Sequence, residues 1–158
     1  EILKTTPVDI LRRSEQLMAE AKESARKMAA LEDKIIAQEA AKLLSLAKQE
    51  GNVRVLTARV EDADTDRLRS MGDLLRDKDP GLVAVLAAER EGKINFIAVC
   101  GRDAVKMGAH AGKLVKKVAE ITGGGGGGRP DSAMAGGKDV AKLAEALKAA
   151  EAFAVEMR

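Results

Sequence analysis

Aromatic side chains are almost absent from this chain: Phe96 and Phe153 are the only two, with no Tyr and no Trp. Readers of single-stranded nucleic acid depend on exposed aromatic platforms, so sequence-specific readout by stacking is not expected. Cysteine is equally scarce. Cys100 stands alone, which rules out an internal disulfide framework and fits a reducing, cytoplasmic setting. It closes the run Phe96-Ile97-Ala98-Val99-Cys100, which has the composition of a buried strand, so the thiol is expected to pack as a small hydrophobe. His110 is the one histidine. A zinc site of ordinary His/Cys composition and a His-centred triad are therefore both out of reach. His110 lies between Ala109 and Ala111 at the start of a basic helix, where a structural or capping role is expected, with a phosphate contact as the alternative. Asp62 with Asp64, and Asp73 with Asp77, read as solvated acidic surface rather than as paired catalytic carboxylates. No catalytic residue, metal site or cofactor is expected.

Long apolar runs are missing too. Nothing approaches the ~20 apolar residues of a membrane span, and no basic start leads into an apolar stretch as in a secretory signal. The chain opens on Glu1 without Met, and residues 2–6 read as a linker into Pro7, which suggests a piece of something larger.

What is present divides near Gly51-Asn52. Residues 7–49 hold no glycine and no second proline, and are dense in Ala, Leu, Glu and Lys, all strong helix formers. Thr6-Pro7 with Asp9 is a helix start: a hydroxyl cap, proline at the first position, and a carboxylate near the positive dipole end. Leu17, Ala21, Met28, Leu31 and Ile35 repeat every three or four residues, with Ser24 filling one slot, as in a coiled-coil seam. The rhythm then slips to Ile36, Ala40, Leu43, Leu44 and Ala47. The slip fits either one long helix with a stutter or two helices meeting near Glu32 to Lys34, and the second is the expectation here. An amphipathic stripe of this length needs a partner: its own second half in a hairpin, a second copy of the chain, or an upstream segment.

From residue 51 the pattern becomes mixed α/β. A strand is expected over residues 53–60 and a helix over 64–77, with Leu68, Met71, Leu74 and Leu75 on one face and Asp79-Pro80-Gly81 at its end. Residues 82–88 and 94–100 read as a hairpin joined by Glu89-Arg90-Glu91-Gly92-Lys93. A basic helix follows from about Met107 or Gly108 to Ile121, then a glycine loop, an extended stretch at 132–135 and a closing helix over 139–157. The fold class is α+β or mixed α/β: a helical, coiled-coil-like segment over 1–50, and a globular domain over 51–158 with a small mixed sheet flanked by helices.

Six consecutive glycines, Gly123 to Gly128, run into Arg129-Pro130-Asp131 and then Ser-Ala-Met-Ala-Gly-Gly. Without Cβ atoms such a run lets a ligand approach the backbone, and successive N–H groups can converge on a phosphate. A floppy linker is the plainer reading. Against it stand the missing Ser and Gln padding, the rigid proline one residue on, and a second defined pattern after it. The run satisfies GxGxxG trivially, but it follows a helix where a dinucleotide fingerprint follows a strand. Gly128-Arg129-Pro130 is not a Walker A ending either. The net charge is only +2, yet Arg102, Lys106, Lys113, Lys116 and Lys117 are opposed by Asp103 alone, and Arg129 and Lys138 follow. A mildly charged chain can still present one basic face beside the glycines.

This segment resembles the glycine motif of the DHHA1 domain, in the version found at the extreme C-terminus of alanyl-tRNA synthetases. The resemblance rests on Gly126, Gly127, Gly128, Arg129, Pro130, Asp131, Ala133, Gly136 and Gly137, covers residues 52–158, and departs at Ser132 and Met134, where Met and Gln are usual. It implies a non-catalytic domain that binds the outer corner of tRNA, an alanine-specific tRNA by expectation, and that links aminoacylation to editing on one tRNA. The parent of such a domain is an ATP-dependent alanine-tRNA ligase. The resemblance also implies homodimerisation, for which residues 7–49 are the natural surface. The expected contacts are Gly126, Gly127 and Gly128 for backbone approach, Arg129 for a phosphate or a base face, and Lys113, Lys116, Lys117 and Lys138 for phosphates. Two other classes compete: the substrate-binding domain of a DHH-type phosphoesterase, and a purely structural oligomerisation module.

Overall fold

A computed structural model describes residues 6–157. By compactness the chain divides into two units, with the boundary between Ile35 and Ile36. Helix α1 (Pro7–Ser45) is continuous, so the break expected near Glu32 to Lys34 is absent and a hairpin within the segment is excluded. The reason is compositional: no glycine or proline lowers the cost of a turn, and the slip in the apolar rhythm is absorbed along an unbroken helix. At its start the Thr6 hydroxyl accepts from the Asp9 N–H at 3.3 Å, and the Thr6 hydroxyl and N–H both reach the Asp9 carboxylate. This reciprocal box satisfies first-turn groups. Every residue from 7 to 35 is exposed, among them Leu17, Met28, Leu31 and Ile35.

The second unit is built on one sheet. Strands β1 (Lys48–Glu50), β2 (Val53–Arg59), β3 (Leu82–Arg90), β4 (Lys93–Cys100), β5 (Gly125–Gly128) and β6 (Ser132–Gly137) lie in the order β1-β2-β3-β4-β6-β5. The β2–β3 pair is parallel and the other pairs are antiparallel. Helix α2 (Thr65–Lys78) makes the crossover between the parallel strands, as such a connection requires. Its first turn is capped by Asp64, whose side chain accepts from the Arg67 N–H at 2.8 Å.

Helices cover both faces, which is why β3 reads as nearly continuous apolar sequence. Its residues split by parity. Val83, Val85 and Ala87 join Phe96, Ala98 and Cys100 in one core, packed by helix α4 (Ala111–Ile121) through Leu114, Val115 and Val118 and by helix α5 (Leu143–Glu156) through Ala146 and Ala150. Leu82, Ala84 and Leu86 join Ile97 and Val99 in the other, with Leu68, Met71 and Leu75 of α2. The last turns of α1 complete that second core: Ala40 is fully buried in it, with Ile36, Leu43 and Leu44 packed alongside. Polar clamps hold the same turns. Arg67 meets both carboxylate oxygens of Glu39 at 2.8 Å, and Arg54 bridges the Leu44 carbonyl and Asp79 at 3.0 and 2.7 Å.

Three local expectations are corrected. The expected glycine loop is largely the edge strand β5. The basic helix is preceded by a separate short helix α3 (Arg102–Lys106), and Gly108 at φ +108° turns the chain between the two. The closing helix begins with a 3-10 turn at Val140–Lys142 before α5.

Candidate nucleic-acid interface

The glycine run begins as a helix ending. Gly123 takes φ +68° after α4, and the Gly123 and Gly124 N–H groups donate to the Glu120 and Ala119 carbonyls at 3.1 and 2.9 Å. Buried Thr122 anchors the neighbouring chain, its carbonyl accepting from the Lys138 and Asp139 N–H groups at 2.9 and 3.0 Å. Strand β5 then pairs with β6, Gly126 opposite Ala135 and Gly127 opposite Met134.

Room for a side chain alternates along β5. A Cβ at Gly124 would lie 1.8 Å from the Gly136 carbonyl oxygen, at Gly126 2.4 Å from Ala135 Cα, and at Gly128 2.7 Å from Ala133 Cβ. Those three glycines are demanded by the fold. A Cβ at Gly125 or Gly127 meets nothing within 4 Å, and neither residue has the left-handed φ that favours glycine. Nothing inside the described chain calls for glycine at these two positions, and their lack of side chains leaves bare backbone facing outward.

The turn after β5 is held from three directions. The Ala111 N–H donates to the Pro130 carbonyl at 2.8 Å and the Gly112 N–H to the Arg129 carbonyl at 3.2 Å, so the turn's own carbonyls occupy the N-terminus of α4. The Cys100 N–H of β4 donates to the Asp131 carbonyl at 2.9 Å. On α2, Arg76 Nη1 lies 3.3 Å from Asp131 Oδ2, and Arg76 also meets Asp73 and Asp77 at 3.3 Å each. The two carboxylates read from sequence as solvated surface thus clamp an arginine. Helix α4 approaches the hairpin where two glycines meet: a Cβ at Gly112 would stand 2.4 Å from the Gly128 carbonyl oxygen.

His110 caps α4, its Nδ1 accepting from the Lys113 N–H at 3.3 Å. With the first three N–H groups of α4 committed in this way, the helix N-terminus offers no vacant anion seat.

The cations lie around this frame. Arg129 sits on the turn with its side chain 77% exposed and its Nε 3.5 Å from Asp131 Oδ1. Lys113, Lys116 and Lys117 occupy the solvent side of α4, and Lys138 follows β6. Lys117 Nζ rests 4.8 Å from the ring centre of Phe153 on α5, a cation–π contact. Lys116 lies one helical turn beyond Gly112, where a Cβ would meet Gly128 of β5. Lys113, Lys116 and Lys138 have no ion-pair partner among the described residues.

Cys100 lies under the turn. Burial first, and the nearby Asp131 charge second, push its thiol up to about 12, which keeps it protonated and unreactive at neutral pH. Among the described residues no group of three or more His, Cys, Asp or Glu side chains could hold a metal ion, and no helix is long and apolar enough to cross a membrane.

A mixed sheet covered by helices on both faces, with a glycine edge strand beside a basic helix, defines a compact α/β class of domain. Residues 52–156 match the DHHA1 domain family, and the chain belongs to that family. It is 41% identical over 150 residues to an alanine-tRNA ligase of Acetivibrio thermocellus, covering 95% of this chain and 17% of that protein. It is 46% identical over 151 residues to an alanine-tRNA ligase of Geobacillus thermodenitrificans, covering 96% of this chain and 17% of that one. The chain therefore spans about a sixth of the length of these relatives. Among solved structures it is similar to the C-Ala domain from Aquifex aeolicus alanyl-tRNA synthetase, with a TM-score of 0.64 and 28% identity, covering 69% of this chain and 97% of that domain.

Proposed function

We propose that this chain is the tRNA-gripping C-terminal module of an alanine-tRNA ligase, binding the outer corner of folded tRNA with strand β5, the Arg129 turn and the lysines of α4. The observation that carries the reading is bare backbone at Gly125 and Gly127 beside an exposed arginine on an immobilised turn, next to lysines without acidic partners. Bare backbone admits a ribose-phosphate surface closely. The cations supply counter-charge without reading bases, in keeping with an absence of exposed aromatic platforms. Gly126 and Gly128 support this surface by letting β5 lie against β6, while Gly127 and Arg129 meet the RNA. Lys113, Lys116 and Lys138 take phosphates. Lys117 contributes less, because part of its reach is spent on Phe153.

In this reading alanine activation, transfer and editing belong to the rest of a cytoplasmic ligase. Holding the tRNA corner raises the effective concentration of the acceptor end at both the synthetic and the editing site. Residues 51–158 act as the RNA-binding domain. Of residues 7–49, the exposed stretch 7–35 acts as the dimer surface: Leu17, Met28, Leu31 and Ile35 lie exposed along one uninterrupted helix, and each is worth about 1.5–3 kcal/mol when fully buried.

The test is affinity for a folded alanine tRNA transcript. Arg129→Ala, and the double charge reversal Lys116→Glu with Lys117→Glu, each weaken binding while leaving the melting temperature within a few degrees of the parent. Unchanged affinity in both variants contradicts the reading. Tighter binding of a short single strand than of tRNA favours a phosphoesterase-type substrate domain, and no binding to any RNA leaves an oligomerisation module.

A further inference from the structure

Asp131 is not itself an RNA contact in the reading above, yet it is tied at three points. Its carbonyl accepts from Cys100 of β4 at 2.9 Å, and its Oδ2 lies 3.3 Å from Arg76 of α2. Its other oxygen, Oδ1, lies 3.5 Å from Arg129 Nε. Arg76 is itself fixed between Asp73 and Asp77 and is only 23% exposed. A chain of contacts thus runs from α2 through Arg76 and Asp131 to an arginine that is otherwise largely in solvent. The approach to Asp131 is an ion pair at Nε, not a hydrogen bond, and the two Nη groups of Arg129 have no partner among the described residues. They are the pair of donors that grip a phosphate or carboxylate side by side.

We propose that Asp131 is a positioning residue: through Arg76 it fixes the direction of the Arg129 side chain, leaving both Nη groups aimed outward at an RNA phosphate. The proposal rests on the tRNA-binding reading above. A free arginine loses rotamer freedom when it is immobilised in a complex, and one already biased toward Asp131 by the ion pair at Nε loses less. The negative charge of Asp131 acts the opposite way on a nearby phosphate, so its removal alone is ambiguous. A cycle with Arg129 separates the two effects, because the charge acts in both backgrounds and the aiming only when the arginine is present.

The experiment measures the affinity of this chain for a folded, unmodified alanine tRNA transcript in four forms: parent, Asp131→Ala, Arg129→Ala, and both together. Melting temperatures are recorded for each. Asp131→Asn replaces Asp131→Ala if the latter lowers the melting temperature by more than a few degrees. The expected result is that the change in Kd caused by Asp131→Ala is about 3- to 10-fold more adverse with Arg129 present than with Ala in its place. Equal changes in the two backgrounds overturn the positioning role while leaving Arg129 as an RNA contact. If Arg129→Ala itself binds like the parent, the reading of Arg129 as a contact fails, and the positioning proposal fails with it.

Discussion

Gly127→Ala is expected to stabilise the fold and weaken tRNA binding, whereas Gly126→Ala weakens both. At Gly127 a Cβ meets open space and the backbone is outside the left-handed region. The substitution therefore only removes the entropic penalty of glycine in a strand, a gain of roughly 0.5–1 kcal/mol. For a protein of this size that raises the melting temperature by about 1–4 °C. At Gly126 the same methyl stands 2.4 Å from Ala135 Cα and from the Met134 carbonyl oxygen, both backbone atoms that cannot swing aside. Displacing the edge strand costs about 1–3 kcal/mol, a fall of about 2–12 °C. In the complex the Gly127 methyl holds the RNA off the backbone. If that mismatch costs as much as overpacking in a core, about 1–3 kcal/mol, Kd rises about 5- to 150-fold. Thermal unfolding of the two variants, with tRNA titrations of each, reads both effects. A Gly127→Ala variant as destabilised as Gly126→Ala refutes the alternation argument. One that is stabilised but binds tRNA unchanged removes β5 from the contact surface.

Lys116→Ala is expected to weaken tRNA binding about 2- to 5-fold more than Lys117→Ala, since Lys117 is engaged by the Phe153 ring, while exposed Lys116 lies one helical turn from Gly112, which faces Gly128 of β5; equal losses contradict this order. Cys100 is expected to resist alkylation at pH 8 in the native state and to react readily in denaturant. Its raised folded pKa stabilises the fold below the ordinary thiol range, and that contribution is lost as pH rises toward about 12; fast native-state labelling contradicts its burial. Leu31→Glu together with Ile35→Glu is expected to shift sedimentation from dimer to monomer with the α/β domain's melting temperature unchanged. A parent chain that sediments as a monomer at micromolar concentration contradicts the dimer surface.

Much of the fold is legible because local chemistry and tertiary demand agree. The cap at Asp64, the box at Thr6 and Asp9, and the β3–β4 hairpin around Gly92 at φ +74° all announce themselves within a few residues. Strand β1 does not. Lys48-Gln49-Glu50 has no β-forming residue, and it becomes a strand only because β2 offers an edge after the Gly51 turn. The same holds for β5. Glycine has no strand preference, so its extended state is dictated by β6, and the alternation between fold-required and unconstrained glycines is invisible until that pairing is known. The position of α4 also decides what its charges do: sequence marks Lys116 and Lys117 as one basic pair, but packing against α5 sends one to an aromatic ring. The Arg76–Asp131 contact joins residues 55 apart in sequence, and no local pattern signals it.

The most direct test of the central claim is a binding titration of this chain against folded alanine tRNA, a short single strand and a plain RNA duplex at two salt concentrations. Arg129, Lys113, Lys116 and Lys138 as phosphate contacts predict a preference for tRNA and a slope of log K against log salt near −3, at about −0.7 to −0.9 per contact. Raising salt from about 50 to 200 mM then weakens binding roughly 100-fold. A slope near zero, or tighter binding to the single strand than to tRNA, contradicts the account.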